Sequence, residues 1–147
     1  MTRVRVLGIG SPAGDDRAGW CVVDALHARL GMCADVALDK LDRPGAGLLA
    51  HLEGASHVVL IDAMRSGAAP GTIRRVDRAD WRNQDSPSSH GFGVFDALAL
   101  AEALGSLPPA LAVYGVEIGA AAPGDDLTPA VRAAVDELAA RIADELA

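Results

Sequence analysis

Aromatic side chains are scarce in this chain, with two Trp, one Tyr and two Phe among 147 residues. An interior without large rings must be filled by Val, Leu, Ile and Ala, which lets helices lie close against a sheet. Cysteine is rarer still. Cys21 and Cys33 show neither the CxxC spacing of a redox pair nor the doublets of a structural zinc site, and both are expected to be reduced packing residues. Basic clusters are missing: thirteen Lys and Arg stand against twenty Asp and Glu, a formal net charge of −7. Nucleic acid is therefore not an expected partner, since phosphate binding needs a concentrated positive surface. No apolar run approaches the roughly 18 residues of a membrane-spanning helix, so no membrane insertion is expected. The opening MTRVRVLGIG enters an apolar strand directly, without the h-region of a secretory signal, and a cytoplasmic location is the expectation. HExxH is absent and no Ser or Cys carries a local nucleophile signature, which leaves zincin, serine and cysteine hydrolase mechanisms unsupported.

What is present is an alternation of short apolar runs and helical patterns. Half the residues are hydrophobic, enough for one core, and the whole of 1–147 reads as a single domain. Val4 to Ile9 reads as a strand buried on both faces. A helix follows, with Asp15 and Asp16 as cap candidates and Trp20, Val23, Leu26 and Leu30 at helical spacing up to Gly31. Strands are expected at Ala34 to Leu38 and His57 to Ile61, with a Pro/Gly loop and a short helix, Leu48 to Glu53, between them. Thr72 to Val76 reads as a strand hairpin-linked and antiparallel to its neighbour. Asp77 to Gly91 is a long polar loop, the kind that is usually functional or disordered. Val94 to Leu104 reads as a helix and Leu111 to Val116 as a strand. A last helix has Thr128 as cap, Pro129 in its first turn, and an apolar stripe of Val131, Val135, Leu138, Ile142 and Leu146. Together these specify a three-layer α/β sandwich, a mostly parallel sheet of about five strands with helices on both faces. If strand two lies outside strand one and strand three on its other side, strands one and three flank the topological switch point, where open α/β sheets bind ligands.

Candidate ligating residues fall at that edge. Asp16 follows the first strand, Asp62 ends the third, and His90 closes the long loop. Gly8, Gly10 and Gly14 form a loose relative of a dinucleotide fingerprint, but Asp15 and Asp16 would repel an anion and Pro12 removes a donor. Two carboxylates and an imidazole instead suit a divalent Ni, Zn, Mn or Fe ion. The plainer roles are helix capping for Asp15 or Asp16, a turn for Asp62 and a backbone-bonded loop histidine for His90. Gly91 and Gly93 fit either freedom for the His90 loop or a turn before the next helix. Glu117, just beyond the fifth strand, reads as a solvated or capping carboxylate that lies within reach of the site.

GIGSPAGDDRAGW, VVLIDAM, SSHGFGVFDALALAEALGSLP and VYGVEIG together resemble the hydrogenase maturation protease family across essentially the whole chain. The resemblance implies an endopeptidase that removes a carboxyl-terminal extension from a nickel–iron hydrogenase large-subunit precursor after nickel insertion; separately, a monomer is the expectation. It implies that Asp16, Asp62 and His90 occupy the metal-binding positions, with the nickel supplied by the precursor and no organic cofactor. Hydrolysis would then use a water activated by the metal or by a carboxylate. The chain also departs from the family. Ser11 stands where Asn is usual, the turn to Asp15 is shorter, and Asp16 replaces a frequent Glu, losing a methylene of reach. Asp42 matches an acidic residue of the loop after strand two, but Arg43 and Pro44 replace its glycine pair. These changes bear on substrate identity more than on fold. Two other functions fit the same residues, a noncatalytic metal-dependent module that checks a metalloprotein precursor and a small-molecule hydrolase.

Overall fold

The computed structural model describes residues 3–12, 14–31, 35–77, 93–119 and 126–146. Its strands are β1 (Val4–Gly10), β2 (Val36–Asp42), β3 (His57–Met64), β4 (Ile73–Val76) and β5 (Ala110–Glu117). Its helices are α1 (Ala18–Leu30), α2 (Leu48–Leu52), α3 (Val94–Ala103) and α4 (Pro129–Leu146). Short 3-10 turns at Gly14–Arg17 and Gly45–Gly47 precede α1 and α2.

The strands form one sheet in the order β2-β1-β3-β5-β4. All neighbours are parallel except β4, which runs antiparallel to β5. Alternate residues of the central strands feed two cores. Val4, Val6, Val59, Ile61, Ala112 and Tyr114 pack beneath α1 and α4. Leu7, Ile9, Val58, Leu60 and Val113 pack beneath α2 and α3. This confirms the three-layer sandwich, with burial on both faces explaining why the central strands read as continuous apolar runs. Val131, Val135, Leu138 and Ile142 are buried along α4 as the stripe required, and Arg132, Asp136, Glu137, Arg141, Asp144 and Glu145 are exposed.

Two strands differ from the sequence reading. β2 continues through Asp39, Lys40 and Leu41 to Asp42, paired with β1 up to Gly10↔Asp42. Its polar residues resemble a loop, but an edge strand facing water accepts them. β4 is not the hairpin partner of β3. The chain leaves β3, passes over the end of β5 and returns on its far side, because β5 occupies the position beside β3.

The glycines of the first turn serve packing. A Cβ at Gly8 would collide with the Gly19 carbonyl oxygen of α1, and one at Gly10 with the Asp16 carbonyl oxygen. Bare backbone at these points lets α1 and its leading turn sit directly on the end of β1.

Candidate functional site

The ladder between β1 and β3 ends at Gly8↔Ile61, while β3 continues alongside β5 through Asp62↔Gly115 to Met64↔Glu117. Asp62 is thus the first residue of β3 beyond its pairing with β1. A crevice opens there, since β1 has β2 on its other side and its following chain turns toward α1.

Asp16 sits on the 3-10 turn at the mouth of this crevice. Its position is set by backbone: the Ser11 N–H donates to the Asp16 carbonyl at 3.2 Å, a contact that Gly10 permits. The buried Ser11 hydroxyl donates to Asp16 Oδ2 at 3.3 Å. Arg65 Nη2 lies 3.6 Å from Asp16 Oδ1. On β3, Asp62 Oδ1 accepts the Ala63 N–H at 2.8 Å. Asp62 keeps some accessible surface, but its carboxyl lies deep enough for desolvation to push its pKa from 3.8 to about 7. The Ala63 N–H opposes that rise, and the nearby negative charge of Asp16 adds to it. Asp16 and Asp62 thus lie at the same edge, near enough for one charge to act on the other.

Asp15 behaves differently. It is 1% exposed and accepts the Thr128 N–H at 2.8 Å, the Thr128 hydroxyl at 3.0 Å and the Gly119 N–H at 3.4 Å. It ties the first turn to the connection between β5 and α4 and does not cap α1, which has no side-chain cap. Asp16 does not cap it either. Thr128 meets α4 through its carbonyl, which accepts the Arg132 N–H at 2.9 Å, and gives its hydroxyl to Asp15.

Glu117 corrects another expectation. It closes β5 and is 1% exposed, so it is not a solvated carboxylate. It accepts the Ser66 N–H at 2.7 Å, the Ser66 hydroxyl at 2.8 Å and the Gly67 N–H at 2.9 Å. An acidic residue ending the apolar run VYGVE was the sequence signal for a buried polar task, but its donors, fifty residues earlier in the chain, left no local trace. Arg65 had no signal at all.

Asp42 is exposed at the same edge and pairs with Arg43 at 2.9 Å. Arg43 holds a positive φ of 41°, the conformation that the family's glycine would adopt freely. Trp20 Nε1 donates to the Leu41 carbonyl at 2.9 Å, fixing α1 against the end of β2. Cys21 is a free, partly buried thiol whose pKa is raised chiefly by burial. His90, Gly91 and Cys33 lie outside the described residues. Gly93 starts α3, its N–H donating to Asp96 Oδ2 at 2.9 Å. Among the described residues no group of three or more His, Cys, Asp and Glu is arranged to hold a metal ion, and no helix is long and apolar enough to cross a membrane.

Fold and site together define an α/β sandwich with an acidic crevice at its switch point. Comparison with known proteins makes the class specific. The family model for hydrogenase maturation protease, HycI, matches residues 22–145. A hydrogenase expression/formation protein, HupD from Thiocapsa roseopersicina, is 31% identical over 149 aligned positions, covering 92% of this chain and 67% of that protein. The solved hydrogenase maturating endopeptidase HybD from E. coli superposes with a TM-score of 0.83 at 29% identity, covering 99% of this chain and 92% of that one. HybD from Thermococcus kodakarensis, a [NiFe] hydrogenase maturation protease, gives a TM-score of 0.72 at 26% identity, with 99% of each chain covered. The chain belongs to the hydrogenase maturation protease family and is a peptidase.

Proposed function

We propose that this peptidase removes the carboxyl-terminal extension of a nickel–iron hydrogenase large-subunit precursor, and that it recognises the precursor by the nickel already inserted in it. In this reading it acts as a monomer in the cytoplasm, and nickel arrives as part of the substrate. The observation that carries the reading is the meeting of Asp16 and Asp62 at the β1/β3 edge, where Asp16 helps to raise the Asp62 pKa. Two carboxylates held close with incomplete hydrogen bonding are a costly arrangement that a divalent cation relieves. Their hard oxygen ligands suit such an ion, and His90 would supply the imidazole.

Binding the precursor's nickel would hold the scissile peptide at the crevice, converting recognition into proximity. The ion supplies positive charge that draws electron density from nearby oxygen atoms. Asp62, whose pKa burial raises to about 7, would release its proton to solvent on binding the ion. The carboxylate edge then faces the water that attacks the peptide carbonyl, takes a proton from it and returns a proton to the departing amine. Ser11 and the Ala63 N–H hold the two carboxylates in position throughout.

The test is incubation with a nickel-loaded precursor followed by mass spectrometry. The wild-type protein is expected to reduce the precursor mass by that of the extension. Asp16→Ala, Asp62→Ala and His90→Ala should each abolish the loss while leaving the circular dichroism spectrum unchanged. A stable complex without cleavage by the wild type would overturn the protease reading for this substrate, and full activity in all three variants would overturn the site.

A further inference from the structure

Arg65 is the first residue after β3, and its backbone is held on both sides. On one side Met64 is paired in the sheet. On the other, the Ser66 and Gly67 N–H groups are held by the buried Glu117 carboxylate. The far end of the same connection is tied to the same residue: the Gly71 N–H donates to the Glu117 carbonyl, and the Glu117 N–H to the Thr72 carbonyl, both at 2.8 Å. Burying a carboxylate is costly unless its acceptors are filled, and here they are filled by the backbone of this loop. The consequence is that the Arg65 backbone is fixed at the mouth of the crevice while its side chain, 52% exposed, keeps freedom to swing.

That side chain rests on Asp16, with Nη2 3.6 Å from Oδ1. We propose that Arg65 is a specificity-determining residue of the crevice: it occupies Asp16 in the resting protein, disfavours a free divalent ion, and turns to the anionic ligands of an ion presented inside another protein. The inference rests on the proposed nickel-recognising function. An exposed ion pair of this length is weak, so the guanidinium can be displaced. Every incoming cation must nonetheless replace it and then face its charge. A hydrated ion offers the displaced guanidinium nothing. An ion held by a precursor brings negatively charged ligands and peptide carbonyls, acceptors that suit the planar fork of Arg. Arg65 therefore makes free metal a poor competitor for the precursor.

The experiment compares wild type, Arg65→Ala, Arg65→Lys and Asp16→Ala by calorimetric titration with NiCl2, alongside steady-state processing of the nickel-loaded precursor by the first three. Arg65→Ala is expected to bind Ni2+ about fivefold more tightly and to raise KM for the precursor about fivefold, with kcat within about twofold of wild type. Arg65→Lys, a point charge without the fork, should retain the weak Ni2+ affinity but recover only part of the KM. Unchanged or weaker Ni2+ binding by Arg65→Ala, or an unchanged or lower KM, would overturn the proposal. Asp16→Ala separates the two levels. If it binds Ni2+ as well as wild type, the cation site itself is wrong; if it loses binding while Arg65→Ala matches wild type, only the role of Arg65 falls.

Discussion

Asp15 and Asp16 are adjacent in sequence and have the same side chain, yet they belong to different regions of the molecule. Asp15 points into the frame, where three donors from Gly119 and Thr128 satisfy it. Asp16 stands at the crevice with a 3.3 Å hydroxyl contact and a 3.6 Å ion pair. The same contrast separates Glu117, buried and bonded to three donors, from Asp62, desolvated beside another acid with the Ala63 N–H as its donor among the described residues. Hydrogen-bond satisfaction thus distinguishes the acids that build the fold from those left available for a ligand.

Substitution at the crevice should produce the largest effect and confine it to activity. Asp62→Asn is expected to lower the rate of precursor processing by at least about a hundredfold, read by mass spectrometry, because it removes both a charged ligand and a proton acceptor. Comparable activity in the variant would place Asp62 among the framing residues. Asp15→Ala should do the reverse, lowering stability by about 3 kcal/mol in urea unfolding, since it strands the Thr128 and Gly119 donors. Asp16→Ala should stay within about 1 kcal/mol of wild type in the same assay. If the neighbouring variants lose equal stability, the comparison fails.

A smaller effect is expected in the pH dependence. The folded-state pKa of Asp62 is raised from 3.8 to about 7. Below pH 4 the group is protonated in both states and costs nothing. Between pH 4 and 7 the unfolded chain releases the proton that the folded protein retains, so this group makes stability fall as pH rises, and above 7 the full penalty applies. Asp62→Asn should remove that penalty, making the variant more stable than wild type at pH 8 by about 1–3 kcal/mol but not at pH 4. Equal pH profiles would show that the carboxyl is not desolvated as described.

The smallest change is at Arg43, whose φ of 41° suits glycine. Arg43→Gly is expected to raise stability by about 0.5 kcal/mol, the relief of the left-handed conformation being partly offset by greater freedom of the unfolded chain. A loss of stability would mean that the exposed pair with Asp42 outweighs the backbone effect.

The placing of β2 and β3 on either side of β1 was legible because right-handed crossovers and the doubly buried runs VRVLGI and HVVLI leave few arrangements, whereas the insertion of β5 between β3 and β4 was not. The convergence of Asp16 and Asp62 followed from that order. What the sequence did not reveal were partnerships across the chain. Asp15 reaches Gly119 and Thr128, and Glu117 reaches Ser66 and Gly67, through contacts that local periodicity does not encode. Capping rules assigned Asp15 to α1 because a helix start lay beside it, but a buried site with three distant donors took precedence over the local cap. The polar half of β2 was hidden for a similar reason, since an edge strand paired along one side needs little apolar character.

The central claim is that Asp16 and Asp62 jointly hold a divalent ion. A crystal structure of the protein soaked with Cd2+, with data collected for anomalous scattering, tests it most directly. The account predicts an anomalous peak within coordination distance of carboxylate oxygens from both residues, lost in Asp62→Ala. A fully occupied ion elsewhere, with this crevice empty and Arg65 still resting on Asp16, would contradict it.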